Sequence, residues 1–252
     1  MTKIRTAVAG WKGRMGAVIL PGLAREADVE IVAKIEQGDD LVALCREARA
    51  EVVVDFTTPA VAAANARKIV EAGCHGVIGT TGFTERDLAD LDARARSASR
   101  ALLVAPNFAL GVLLMIRFAA EAALWFPRSE IVEIHHDGKL DAPSGTALRT
   151  AEAVGAAGSG TAKSGTGVSG AADAGAAARG ELHAGVPVHS VRLPGFLAHQ
   201  EVMFGGAGEA LTIRHDAFSR ECYLPGVVLA VRSVRGRVGL LDGLESILPP
   251  RA

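Results

Sequence analysis

Ile4-Arg5-Thr6-Ala7-Val8-Ala9-Gly10-Trp11-Lys12-Gly13-Arg14-Met15-Gly16 decides the fold of this chain. Ile4–Ala9 is short, apolar-rich and stops at a glycine, the mark of a buried strand. Gly13–Arg25 then carries Met15, Ile19 and Leu23 on one helical stripe. The three glycines lie where a strand must turn sharply into a helix, a place that favours residues without Cβ. Pro21 and Gly22 weaken the second half of that helix.

The same alternation continues outward. Val29–Ile35, Glu51–Asp55, His75–Ile78 and Ala101–Ala105 read as strands. Leu41–Arg49 and Val61–Ala72 read as helices between them, the second ending at Gly73. Thr84, with Asp87 three residues on, predicts a capping box at the start of a further helix. Repeated β-α-β units of this kind predict an α/β fold with a Rossmann-like doubly wound parallel sheet.

The pattern then changes. Gly111–Trp125 is apolar enough for a largely buried helix, Glu130–His136 is strand-like and Ser144–Val154 helical. Val186–Leu193, Glu201–Phe204 and Glu209–His215 are strand candidates, with Gly205-Gly206-Ala207-Gly208 as a hairpin turn. Strands joined by short turns predict a second, α+β domain. Residues 155–180, mostly Gly, Ala, Ser and Thr, are expected to form a flexible loop, because they bury little apolar surface. A last helix is expected over about Pro225–Val234.

Bulk properties narrow the function. A net charge of −1 over 252 residues offers no general attraction for nucleic acid or an anionic membrane. Cys45, Cys74 and Cys222 are too far apart in sequence for a CxxC or metal-ligand pair and predict reduced thiols in a cytoplasmic protein. Met1-Thr2-Lys3-Ile4 runs straight into the first strand, so no leader is expected. The longest uncharged apolar stretch, Ala101–Ile116, contains Pro106 and Asn107 and is short for a membrane span.

Two regions carry chemistry. The Gly10, Gly13 and Gly16 turn allows backbone to approach a pyrophosphate, and Glu36, 20 residues after Gly16, falls where a carboxylate accepts the ribose hydroxyls of an adenosine. Lys12, Arg14 and Lys34 could instead meet a 2′-phosphate, with Arg14 equally suited to the pyrophosphate, so NADH and NADPH both stay open. Asp55-Phe56-Thr57, Gly79-Thr80-Thr81-Gly82 and Ala105-Pro106-Asn107-Phe108 each follow a strand, at the carboxyl ends outside which ligands of open α/β sheets bind. The second region is His135-His136-Asp137-Gly138-Lys139-Leu140-Asp141-Ala142-Pro143-Ser144-Gly145-Thr146. It joins two imidazoles and an ammonium to a helix start whose N–H groups suit a carboxylate or phosphate. Ser-Gly-Thr before a helix is also an ordinary N-cap. On a regular strand His135 and His136 face opposite sides, so shared metal ligation is awkward and no metal is expected.

Gly-x-x-Gly-Arg-Met-Gly at 10–16, Asp-Phe-Thr at 55–57, Gly-Thr-Thr-Gly-Phe at 79–83 and Ala-Pro-Asn-Phe at 105–108 are followed, in order, by His-His-x-x-Lys-x-Asp-Ala-Pro-Ser-Gly-Thr-Ala at 135–147. With Ala198-His-Gln-Glu-Val202 and Leu211-Thr-Ile-Arg-His215, this set resembles the 4-hydroxy-tetrahydrodipicolinate (dihydrodipicolinate) reductase family over nearly the whole chain. The resemblance implies a cofactor domain from 1–109 plus 217–252, and a domain over 110–216 whose mixed sheet binds substrate and builds a homotetramer. It implies NADH- or NADPH-dependent reduction of 4-hydroxy-tetrahydrodipicolinate, by way of dihydrodipicolinate, to tetrahydrodipicolinate in the diaminopimelate route to lysine. By position, His135 and Lys139 match the catalytic pair, and His136, Ser144, Gly145 and Thr146 the substrate-carboxylate contacts. Gly10, Trp11, Lys12, Gly13, Arg14, Met15, Gly16, Glu36, Asp55, Phe56, Thr57, Gly79, Thr80, Thr81, Ala105, Pro106, Asn107 and Phe108 fall on the cofactor loops. The chain departs from many relatives at Gly138, where they carry His, and at Gln37, where some carry Arg.

Histidine titrates near neutral pH and can give a proton after hydride transfer. His135 and Lys139 are therefore assigned to acid catalysis and polarisation, and His136 to binding, with the choice of proton donor between the first two open. Two other functions fit less well: a dehydrogenase for a different small carboxylated substrate, and a dinucleotide sensor without turnover.

Overall fold

A computed structural model describes residues 2–158 and 176–249. Along the chain the strands are β1 (Ile4–Ala9), β2 (Val29–Ile35), β3 (Val52–Asp55), β4 (His75–Ile78), β5 (Ala101–Val104), β6 (Arg128–His135), β7 (Glu181–His183), β8 (Val186–Arg192), β9 (Ala198–Gly206), β10 (Glu209–Ala217) and β11 (Gly239–Asp242). The helices are α1 (Gly16–Ala24), α2 (Leu41–Glu47), α3 (Pro59–Glu71), α4 (Glu85–Ser97), α5 (Leu110–Ala122), α6 (Gly145–Gly158) and α7 (Leu224–Val234). They form two compact units, Met1–Leu110 with Arg220–Ala252, and Gly111–Ser219.

The first unit holds a six-stranded, all-parallel sheet in the order β11-β5-β4-β3-β1-β2. The chain crosses from β1 to β2 on one side, then returns to lay β3 on the other. This reversal between β1 and β3 is the switch point at which open sheets bind ligands. Every residue of β3, β4 and β5 except His75 is buried, as expected for strands covered on both faces. Val53, Ile69, Ile78, Leu91 and Leu102 are the centre of one apolar cluster.

Local signals set several boundaries. Asp87 N donates to Thr84 Oγ1 (3.1 Å) and Thr84 N to Asp87 Oδ2 (3.2 Å), so the predicted capping box starts α4. The expected weakness at Pro21 does not end α1, which runs to Ala24. Its hold is tertiary: a Cβ on Gly22 would stand 2.4 Å from the Leu224 side chain, so α1 and α7 are in close contact there.

The second unit holds a five-stranded mixed sheet, β10-β9-β6-β8-β7, with β6 and β8 parallel and the other pairs antiparallel. α6 buries Ala147, Thr150, Ala151 and Val154, one face at helical spacing. Three expectations change here. β9 is longer than Glu201–Phe204, and Gly205 and Gly206 belong to it: they pair with β10, leaving Ala207-Gly208 as the turn, with Gly208 at φ +80°. α6 extends to Gly158 and Ala176–Arg179 form a 3-10 turn, so neither end of the expected 155–180 loop is irregular. Its middle lies outside the described residues. β7 and β11 carry no strong strand signal because each is short and pairs with a single neighbour.

Candidate active site

The glycine turn after β1 is shaped by close approaches that no side chain could share. Gly10 has φ +75°, and a Cβ on Gly16 would lie 2.2 Å from Gly10 O. Gly13 N closes the turn on Gly10 O at 3.0 Å. α1 begins with no side-chain cap and no acidic residue in its first turn, which keeps its positive end available to an anion. Glu36 leaves the end of β2 and accepts a 2.7 Å hydrogen bond from Lys12 N, so the predicted ribose acid does meet the glycine turn. Lys12 Nζ and Lys34 Nζ lie 5.3 and 5.1 Å from the Trp11 ring centroid, two cations against one aromatic ring. Arg14 is exposed on the same turn.

The neighbouring loops pack against this turn. A Cβ on Gly10 would stand 2.9 Å from Phe56 O, and one on Gly79 would stand 2.0 Å from the Phe56 ring. Phe56 and Phe108 rings are 5.4 Å apart. Asp55 is buried, and its carboxylate accepts from Thr57 N (2.8 Å), Thr57 Oγ1 (2.6 Å) and Asn65 Nδ2 (2.9 Å). Its carboxylate thus shapes the loop from within. Ala109 N donates to Asn107 Oδ1 at 2.8 Å, folding the Ala105–Phe108 loop back on itself. Thr80 Oγ1 is buried and has no partner among the described residues. An unpaired buried hydroxyl beside a glycine turn fits a bound polar group, as a nicotinamide dinucleotide would supply.

In the second unit, β6 ends at His135, and the chain returns through a cis Ala142–Pro143 peptide to α6. Glu133 and His135 alternate along β6 and share one face. The Glu133 carboxylate is fully buried and accepts from Arg192 Nη2 (2.8 Å to Oε1), Arg192 Nη1 (3.0 Å to Oε2), Ser144 N (3.2 Å to Oε1) and His135 Nδ1. Burial alone would raise its pKa. Hydrogen bonds from His135, Arg192 and Ser190 outweigh that and hold it at about 2. Arg192 Nη2 also donates to Asp141 O at 2.7 Å, fastening the loop that carries Lys139.

The predicted substrate residues divide. Ser144 is buried, its amide donates to Glu133 and its hydroxyl accepts from Ala147 N at 3.2 Å. It is the N-cap of α6, with its hydroxyl turned to the first helical turn. Gly145 is exposed, with open space where a Cβ would be. His136 falls just beyond β6; its carbonyl accepts from Lys139 N at 3.1 Å, and a Cβ on Gly138 would stand 3.3 Å from its ring. Lys139 Nζ binds both oxygens of Asp141 at 2.7 Å, which lowers the Asp141 pKa. No cluster of three or more metal-ligating side chains occurs among the described residues. Sequence reading passed over Glu133 and Arg192. The alternation of Glu133 with His135 was visible; the salt bridge to β8 was not.

A doubly wound parallel sheet with a glycine turn, an acid at the end of β2 and an uncapped helix start is the architecture of nicotinamide-dinucleotide-dependent oxidoreductases. Residues 4–108 match the family model "Dihydrodipicolinate reductase, N-terminus" and residues 111–248 "Dihydrodipicolinate reductase, C-terminus". The chain is 46% identical to the 4-hydroxy-tetrahydrodipicolinate reductase of Moorella thermoacetica, covering 97% of this chain and 98% of that one. It is 42% identical to that of Coxiella burnetii, over 97% and 99% of the two chains. A dipicolinate-bound dihydrodipicolinate reductase from Paenisporosarcina sp. TG-14 superposes with TM-score 0.85 at 36% identity, covering 98% of this chain and 100% of that one. The chain belongs to the dihydrodipicolinate reductase family.

Proposed function

We propose that this chain reduces 4-hydroxy-tetrahydrodipicolinate, by way of dihydrodipicolinate, to tetrahydrodipicolinate in the diaminopimelate route to lysine, with His135 and Lys139 as its acid groups. Bound NADH or NADPH supplies the hydride. The first unit holds that cofactor through the Gly10–Gly16 turn, Glu36 and the loops after β3, β4 and β5. Gly145 and Thr146 at the start of α6, with His136 and Lys139, bind the carboxylates of a doubly acidic ring. Hydride arrival leaves electron density on the ring, and a proton from His135 or Lys139 completes the reduction.

The observation that carries this reading is the Glu133 carboxylate, which binds both His135 and the amide of Ser144. An imidazole and an anion-seeking helix start are thereby held from one point. The test supplies freshly generated 4-hydroxy-tetrahydrodipicolinate with each cofactor and follows the nicotinamide absorbance. His135→Ala and Lys139→Ala are each expected to depress turnover roughly 100-fold or more. Pyridine-2,6-dicarboxylate should compete with substrate. Near-normal rates in both variants would overturn the assignment.

Two further parts of the proposal concern the setting. β10 is an edge strand with Glu209, Ala210, Leu211 and Thr212 exposed, and such edges are commonly covered by another chain. This supports a homotetramer built through the mixed sheet, to be checked by light scattering on the purified chain. Three free thiols fit a reducing cytoplasm. Among the described residues no helix is long and apolar enough to cross a membrane.

A further inference from the structure

We propose that Glu133 is a positioning residue for the acid step: it fixes His135 with its proton on Nδ1 and presents Nε2 as the nitrogen that exchanges a proton with substrate. This rests on His135 being an acid group, as proposed above.

The carboxylate is placed for that task by three elements. On β6 it shares a face with His135. On β8, Ser190 and Arg192 are the register partners of Glu133 and His135. Before α6, Ser144 N binds the same carboxylate. Ionised Glu133 can only accept, so the His135 nitrogen that meets it must carry hydrogen. A lone buried carboxylate would be costly, but the bidentate Arg192 guanidinium balances its charge. What Glu133 offers the imidazole is therefore a directed acceptor within a charge-matched pair. Arg192 also grips Asp141 O, so the strand end, the Lys139 loop and the α6 start hang from one buried ion pair.

The proton step then balances simply. Imidazolium Nε2–H breaks, its electron pair stays on Nε2, and the proton bonds to the electron pair left on the ring by hydride addition. Neutral His135 keeps its Nδ1–H on Glu133, and a solvent proton reloads Nε2. In the other neutral tautomer the link to Glu133 would be lost and the ring free to turn.

The test is the ¹⁵N–¹H imidazole spectrum of the full chain, with the His135 signals identified by their loss in His135→Ala. Neutral His135 in the unsubstituted protein should be in the Nδ1–H form. Glu133→Gln, whose amide can donate to Nδ1, should convert it to the Nε2–H form and cut kcat about 100-fold. KM for the reduced cofactor should change less than about threefold, because the acid step is separate from dinucleotide binding. In a His135→Ala background Glu133→Gln should cost little more, since both act through one imidazole. An Nε2–H tautomer in the unsubstituted protein would overturn the proposal, and that result stands even if Glu133→Gln does not fold. Full turnover in a folded Glu133→Gln, with His135→Ala inactive, would overturn it too. A fully active His135→Ala would instead remove the reading it rests on.

Discussion

Lys139 Nζ lies 2.7 Å from both carboxylate oxygens of Asp141, two residues further along the same loop. The lysine side chain is 21% exposed and the aspartate 62%. An ion pair open to water on one side contributes roughly 1 kcal/mol or less, so a substrate carboxylate can exchange with it. On the proposed reading, a substrate carboxylate would take the place of Asp141 on the ammonium.

Asp141→Asn should therefore be mild. Its KM for the dicarboxylate is expected to stay within about fivefold of the unsubstituted value, the scale of one exposed pair. Steady-state kinetics against Lys139→Ala would show the contrast. A loss in Asp141→Asn as deep as in Lys139→Ala would mean that the aspartate takes part directly.

Gly16→Ala should cripple dinucleotide binding. The new Cβ would stand 2.2 Å from Gly10 O and 2.4 Å from Trp11 Cα, both backbone atoms that cannot swing aside. The turn must open, which costs the close approach that a pyrophosphate needs. Fluorescence titration should show NADH affinity reduced at least about tenfold, a change of roughly 1.4 kcal/mol. Unchanged affinity would contradict the placement of the pyrophosphate.

Glu36→Gln probes the ribose end. The carboxylate already accepts from Lys12 N, and a ribose with both hydroxyls would use its remaining acceptor sites. A 2′-phosphate would be repelled by that same charge and attracted by Lys12 and Lys34 beside Trp11. The substitution is expected to weaken NADH about tenfold or less while leaving NADPH unchanged or tighter. Equal losses for both cofactors would place the ribose elsewhere.

The stability of the chain should fall in mild acid through His75. Burial, then the charges of Arg100 and Arg235, push its pKa down to about 4, and its Nδ1 accepts from Ala101 N at 3.0 Å. The unfolded chain takes up this proton near pH 6.5 and the folded chain only near 4. Unfolding free energy should thus decrease as pH drops from 6.5 towards 4. Urea midpoints at pH 7 and 5 should differ less in His75→Gln. Glu133 adds a second loss lower down, as pH falls from the ordinary carboxylate value of 4.5 to about 2.

Much of the fold was legible because its causes are local. Thr84 and Asp87 cap a helix through neighbours three residues apart. Glu51–Asp55 and His75–Ile78 read as strands from their apolar content alone, and the first forms over Val52–Asp55. β11 did not, because Gly239–Asp242 becomes a strand only by pairing with β5. Helix α1 passes Pro21 because distant α7 packs on it. In the site, His135 and Lys139 stood out by residue type. Glu133 did not, since its meaning depends on Arg192, which lies 59 residues away in sequence.

The order of elements, the glycine turn and the chemical character of the 135–146 stretch were determined by sequence alone, because each depends on spacing that the chain carries with it. Tertiary structure decided which partners each polar group meets. Ser144 caps α6 and Asp55 anchors its own loop, partnerships that residue type alone does not reveal. The physical reason is that a polar group removed from water must find a partner, and folding alone sets which partners are within reach.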